Sequence, residues 1–161
     1  MTERAALTKV LNQQRDGLVY KLEGVSDEDA RKQPTVSSLS LLSLVKHSAV
    51  WERRWFQVLL AGRRFPGEWP ETRQNERDET FDLLDTDTVA SVIAEYRAEI
   101  AGAQEVIDTT DLEALCADSM VAEMTARDVV LHMIEETARH AGHADILRET
   151  LDGTRGRFAD D

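Results

Sequence analysis

Apolar residues recur along this chain at steps of three and four, the spacing of one helix face, and no stretch alternates in the two-residue rhythm of a half-buried strand. Leu7, Leu11, Leu18 and Leu22 share one face of a first helix, with Gln14 interrupting the stripe. Gly24 then precedes "SDEDARKQP", a short helical turn that Ser26 caps and Pro34 ends. The run "SLLSLVKHSAVWERRWFQVLLAG" predicts a second long helix from Ser40 to Leu60, with Gly62 as its stop. Residues 63 to 84 lack periodicity, and so long a connection in a compact domain is often functional. A third helix opens at "DTDT" and carries Val89, Ile93, Tyr96, Ile100, Ala103 and Ile107 on one stripe. After a polar connection over residues 109 to 124, Thr125 and Asp128 form a capping-box-like start to a fourth helix that runs to Leu151 and is closed by Gly153. Four long amphipathic helices predict an all-α four-helix bundle, one domain over residues 1 to 161 with a frayed tail from 154.

Composition narrows the function classes. A chain of 161 residues with net charge −12 repels phosphate backbones and anionic lipid, which argues against nucleic-acid and membrane-surface partners. No apolar run reaches the roughly 18 residues of a membrane span, and "MTERAALTKVLNQQRDG" lacks the apolar centre of a signal peptide, so a cytoplasmic protein is expected. The lone Cys116 excludes an internal disulfide framework, and a free thiol in "LEALCADS" reads as packing before it reads as a nucleophile.

The fourth helix carries the chemistry. At about 100° per residue, Glu136, His140 and His143 project within roughly 80° of one another. Val129 and Met133 continue that stripe on one side, Leu147 and Leu151 on the other. A carboxylate and two imidazoles in the middle of a core-facing stripe need partners. Either Glu136 pairs with an Arg of another helix and the histidines bond within the core, or Glu136 and His140, one turn apart, hold a metal ion. A third ligand must then come from another helix, and the one histidine outside this helix is His47, in "SLVKHSAVWERRW".

These same segments, "SLLSLVKHSAVWERRWF" and "VVLHMIEETARHAGHADILRE", resemble the two motif helices of the DinB/YfiT-like metalloprotein superfamily, nearest to the actinobacterial branch that includes mycothiol-dependent enzymes. The resemblance implies a four-helix bundle with one long crossover connection and a divalent metal on His47, Glu136 and His140, the acidic first member of the pair matching the maleylpyruvate isomerase branch. Many members carry Gln where this chain has His143, which leaves three roles open to it: supporting the ligands from behind, carrying a proton, or serving as an extra ligand. His132, one turn before Glu136, resembles a position that supports the ligands from behind. The thiol chemistry of the superfamily implies activation of a low-molecular-weight thiol such as mycothiol for reaction with a small electrophile, in a transferase or isomerase.

Three protein ligands leave a coordination position open, the arrangement of catalytic zinc sites. Imidazole and carboxylate do not select the ion: zinc and nickel lead, and manganese and iron also suit the set. His143 is the available acid or base, since an imidazole ordinarily titrates near neutrality. Arg54 and Trp51, beside His47 on helix two, are candidate substrate contacts, Arg54 for a carboxylate and Trp51 as pocket wall. Trp69 is a candidate shield at the site mouth. Other readings are a non-haem iron oxygenase, a hydrolase using bound water, a metal-stabilised bundle without catalysis, and a small-molecule binding protein. The bulky run Trp51, Trp55, Phe56, Val58, Leu59 and Leu60 covers more of the helix circumference than one core contact needs, which predicts a homodimer.

Overall fold

The computed structural model describes residues 1–65 and 78–156; Trp69, most of the long connection and the end of the tail lie outside them. Among the described residues the chain is all-helical, with four long helices and one short one: α1 (Glu3–Leu22), α2 (Asp27–Ala30), α3 (Leu41–Glu52), α4 (Val89–Thr109) and α5 (Ala126–Asp152). α1 packs chiefly on α5 and α3 chiefly on α4, and α3–α5 and α1–α3 contacts close the core.

The helix ends follow the residues that favour them. Ser26, Ser40, Thr88 and Thr125 each cap a helix by accepting a backbone N–H, and the last three form reciprocal boxes with Ser43, Ser91 and Asp128. Asp27 also accepts from Val89 N at 2.7 Å, tying α2 to the start of α4. α5 ends at Gly153 with φ +78°, a left-handed turn that a side chain resists. α2 stops at Ala30, four residues before Pro34.

Two expectations are corrected. The second helix reaches Leu60, but only Leu41–Glu52 is α-helical; Arg53–Leu60 is wound as a π-helix, and Ala61 N bonds Phe56 O, five residues back. In α1 the core position between Leu11 and Leu18 belongs to Arg15, which is fully buried, while Gln14 is only half-buried. The wider turn sends Phe56, Gln57, Leu59 and Leu60 inward.

The apolar core consists of two clusters. One gathers Leu18, Leu22, Leu42, Val45, Ala49, Tyr96 and Leu147; the other gathers Leu11, Phe56, Leu60, Ala103, Val106, Val129 and Met133. On each long helix a polar residue falls between its contributions to the two: Arg15 on α1, Glu52 on α3, Glu99 on α4, Glu136 and His140 on α5. The molecule thus carries a polar belt across its middle. Burying such groups unpaired is costly, and the pairs found there answer that cost. Arg15 Nε and Nη2 grip Glu52 Oε1 and Oε2 at 2.7 and 2.6 Å. Arg53 binds Glu99, and Gln57 Nε2 donates to Glu99 Oε2 at 2.9 Å. The α5 part of the belt is incompletely paired.

Candidate metal centre

His47 and His140 are brought together from α3 and α5, their rings edge to face with centroids 4.8 Å apart. His143 follows one turn on, 5.9 Å from His140. Glu136 Oε1 accepts from Arg139 Nη1 at 2.9 Å, while Oε2 faces His140 Nε2 at 3.6 Å. The Arg partner of Glu136 is therefore on its own helix, three residues along, and not on a neighbouring one.

A third wall comes from residues 78–81, at the end of the long connection. Phe81 stacks flat on His47 with centroids 3.8 Å apart, and Thr80 Oγ1 lies 2.5 Å from His47 Nδ1. Asp78 Oδ2 stands 3.6 Å from the same nitrogen. This segment is held in place just beyond. Lys46 Nζ binds Asp87 Oδ2 at 2.7 Å, Asp87 accepts from Leu84 N, and Arg31 donates to the carbonyls of Leu84 and Asp87. The Lys that precedes His47 in sequence thus anchors the strap that covers it.

Both central imidazoles are kept neutral. Burial drives the His47 pKa well below the ordinary imidazole value, with His140 adding to the effect. Burial likewise lowers His140, and Glu136 opposes that only in part. Neutral imidazole is the form a metal binds. Cys116 is the reverse case: burial, then Asp128 and Asp118, raise its thiol pKa, which leaves it a packing residue.

The donor set fits a divalent ion in type. It also fits in part by position. Nδ1 of His140 and Nδ1 of His143 are buried without a hydrogen-bond partner among the described residues, and a buried imidazole ordinarily finds one. Two donors each about 2.1 Å from a tetrahedral ion stand roughly 3.4 Å apart, close to the Glu136–His140 separation. No three His, Cys, Asp or Glu side chains among the described residues already surround one point.

The other predicted site residues flank this group. His132 packs on Trp55 with centroids 4.3 Å apart. Trp51 is half-buried and points its Nε1 at His47 Nδ1, 3.1 Å away. The Arg54 guanidinium sits over the Trp51 ring, 5.1 Å from its centroid. Asp78, Thr80 and Phe81 escape sequence reasoning, since a loop without periodicity marks no position in advance. The one local signal is the Asp-x-Thr spacing of "RDETF", which favours a side chain bonding the backbone two residues on, and Asp78 Oδ1 does accept from Thr80 N at 2.9 Å.

A cleft of about 360 Å³ adjoins this wall, bounded by Asp78, Phe81, Ser38, Gln33 and Arg31. A second, of about 500 Å³, is lined by Gly24, Lys32, Thr150 and Asp152. Thr150 is ten residues from His140 along α5, about 15 Å of helix, so that cleft is remote from the histidines.

Comparison with known proteins agrees with this architecture. No curated protein matches the chain. A crystal structure described as the conserved protein of locus from Enterococcus faecalis superposes with a TM-score of 0.67 over 96% of this chain and 99% of that one. At 14% identity, that likeness speaks for the fold alone. The family model for mycothiol-S-transferase matches residues 6–153, a span that includes every histidine discussed above. The chain belongs to the mycothiol-S-transferase family, within the DinB/YfiT-like group.

Proposed function

We propose that this protein is a metal-dependent S-transferase that joins a low-molecular-weight thiol, mycothiol in the first instance, to a small electrophile. The observation that carries the reading is His140: a buried, neutral imidazole beside His47, with Nε2 facing the Glu136 carboxylate and Nδ1 making no hydrogen bond among the described residues. Membership of the mycothiol-S-transferase family supports a thiol as the nucleophile. In this reading the four long helices form a four-helix bundle, a single domain with one long crossover connection, and the protein assembles as a homodimer in the cytoplasm.

His47, Glu136 and His140 would hold one divalent ion, zinc or nickel before manganese or iron. Such an ion supplies a Lewis acid that lowers the pKa of a thiol at its open position. The protein's own residues do the rest. His143, with a buried and unpartnered Nδ1, accepts the thiol proton as sulfur bonds to the electrophilic carbon, and returns it to the departing group. Phe81 covers His47 and restricts water at that side. The cleft beside Asp78 and Phe81 offers the thiol's polar body room within the usual range for small-molecule sites. Arg54 and Trp51 remain candidates for substrate contact and His132 for support of the ligand helix through Trp55. An isomerase would use the same thiol addition followed by its reversal.

Turnover should require a thiol and vanish on chelation. Efficient conversion of an electrophile with no thiol present would overturn the mechanism and favour bound water as the nucleophile. A metal-stabilised bundle without catalysis is the outcome if metal binds tightly while a broad panel of thiols and electrophiles gives no turnover.

A further inference from the structure

The proton bookkeeping around His47 reveals two residues that set its chemistry from outside the ligand set. Thr80 Oγ1 lies 2.5 Å from His47 Nδ1 and 2.5 Å from Asp78 Oδ1, and Asp78 Oδ1 also accepts from Thr80 N at 2.9 Å. As a carboxylate Asp78 only accepts, whereas Thr80 has a single hydroxyl proton to give. If that proton goes to Asp78, the lone pair of Thr80 faces His47, and His47 must donate from Nδ1. The chain then runs in one direction: His47 Nδ1–H to Thr80 Oγ–H to Asp78.

A second contact argues for the opposite proton. Trp51 Nε1 stands 3.1 Å from the same Nδ1, and an indole N–H can only donate. Were that bond decisive, Nδ1 would be bare and Nε2 would carry the hydrogen. The Thr80 contact is the shorter by 0.6 Å, the difference of 3.1 and 2.5 Å, and it ends on a charge-assisted acceptor. Asp78 Oδ2, 3.6 Å from Nδ1, adds attraction for a proton on that nitrogen.

We propose that Asp78 and Thr80 are positioning residues that fix His47 as the Nδ1–H tautomer and so leave the lone pair of Nε2 free for the ion. The inference rests on the metal-centre reading above for its purpose, but not for its geometry. A hydrogen bond on the far ring nitrogen is the usual device for orienting a metal-bound imidazole, and here it would be relayed through a hydroxyl. The strap over residues 78–81 therefore acts on His47 beyond covering it, and its anchor at Lys46 and Asp87 keeps the relay in register.

The test is ring-nitrogen NMR of ¹⁵N-labelled, metal-free protein at pH 7.5, with the His47 signals assigned by their loss in His47→Gln. The wild-type protein should show Nδ1 protonated and Nε2 bare. Thr80→Val and Asp78→Ala should move the proton to Nε2 as Trp51 takes over, and Thr80→Ser should keep the wild-type pattern. Zinc titration of the same proteins should show about 10- to 100-fold weaker binding in Thr80→Val and near-wild-type binding in Thr80→Ser. A wild-type spectrum with Nδ1 bare overturns the proposal, as does a Thr80→Val protein that keeps the Nδ1–H form. Loss of zinc binding in Asp78→Ala with none in Thr80→Val also overturns it, since Asp78 would then be a ligand itself. Should the tautomers behave as expected while wild-type protein binds no zinc, the relay stands and the metal-centre reading fails.

Discussion

At the scale of single residues, the buried charges decide most. Arg15 and Glu52 are both fully buried and joined by two parallel hydrogen bonds, with Arg15 Nη1 also bound to Asn12 at 2.8 Å and the guanidinium 5.7 Å from the Phe56 ring centre. Removing one partner strands the other charge in the core. Arg15→Met should therefore cost about 3–5 kcal/mol in denaturant unfolding, whereas Arg15→Met/Glu52→Leu should recover much of that loss. A double variant no more stable than the single would show that the pair is irreplaceable. The histidines give a pH signature. Because His47 and His140 are harder to protonate in the fold than the ordinary value of 6.5, the unfolded chain binds protons that the folded chain refuses. Stability of metal-free protein should fall as pH drops below 6.5, with each ring contributing a slope approaching about 1.4 kcal/mol per pH unit. Carboxylates such as Asp87 and Asp128, whose lowered values act below the ordinary 3.8, leave the range above about pH 4.5 largely to the histidines. His47→Gln should flatten the slope there, and an unchanged slope would show that His47 titrates normally.

At the scale of elements, the helix boundaries were legible because caps are local: Ser26, Thr88, Thr125 and Gly153 need only their neighbours in sequence to act. The π-helical stretch was not. Its apolar run fits a 3.6-residue period well enough, and what selects the wider turn is tertiary: Arg53 and Gln57 reach Glu99 on α4 while Phe56, Leu59 and Leu60 fill the core. Gly102 on α4 makes this contact feasible, since a Cβ there would come within 2.5 Å of Gln57 Nε2. In an open helix Gly→Ala gains about 1 kcal/mol from propensity. Here Gly102→Ala should instead destabilise, because Gln57 must leave Glu99, and Gln57→Ala/Gly102→Ala should restore part of the propensity gain. Thermal unfolding of the two variants checks this; a Gly102→Ala protein more stable than wild type would mean that Gln57 moves aside at no cost. The strap at residues 78–81 was equally hidden, because Asp78, Thr80 and Phe81 acquire meaning only once α3 lies beneath them.

At the scale of the whole molecule, the four long amphipathic stripes announced the helical architecture, and the polar interruption at Glu136, His140 and His143 announced the candidate site. What the stripes could not convey is that each long helix carries its own interruption at matching depth, so that Arg15, Glu52, Glu99 and Glu136 assemble into one belt. Pairing across helices depends on which neighbours meet, and periodicity within one helix is silent on that. The apolar run on the second helix illustrates the same point: Phe56, Leu59 and Leu60 are buried within the chain, leaving half-buried Trp51, Trp55 and Val58 as the basis for a dimer face. Sedimentation at micromolar concentration should give a dimer mass if that face is used, and a monomer mass would remove the dimer from the account. The belt's incompletely paired segment on α5 is the centre of the functional reading, and metal stoichiometry tests it most directly. Isothermal titration of chelator-stripped protein with zinc should give one ion per chain for wild type and for His143→Ala, and no measurable binding for His47→Ala or His140→Ala. One ion still bound per chain in a His47→Ala/His140→Ala protein would contradict the account.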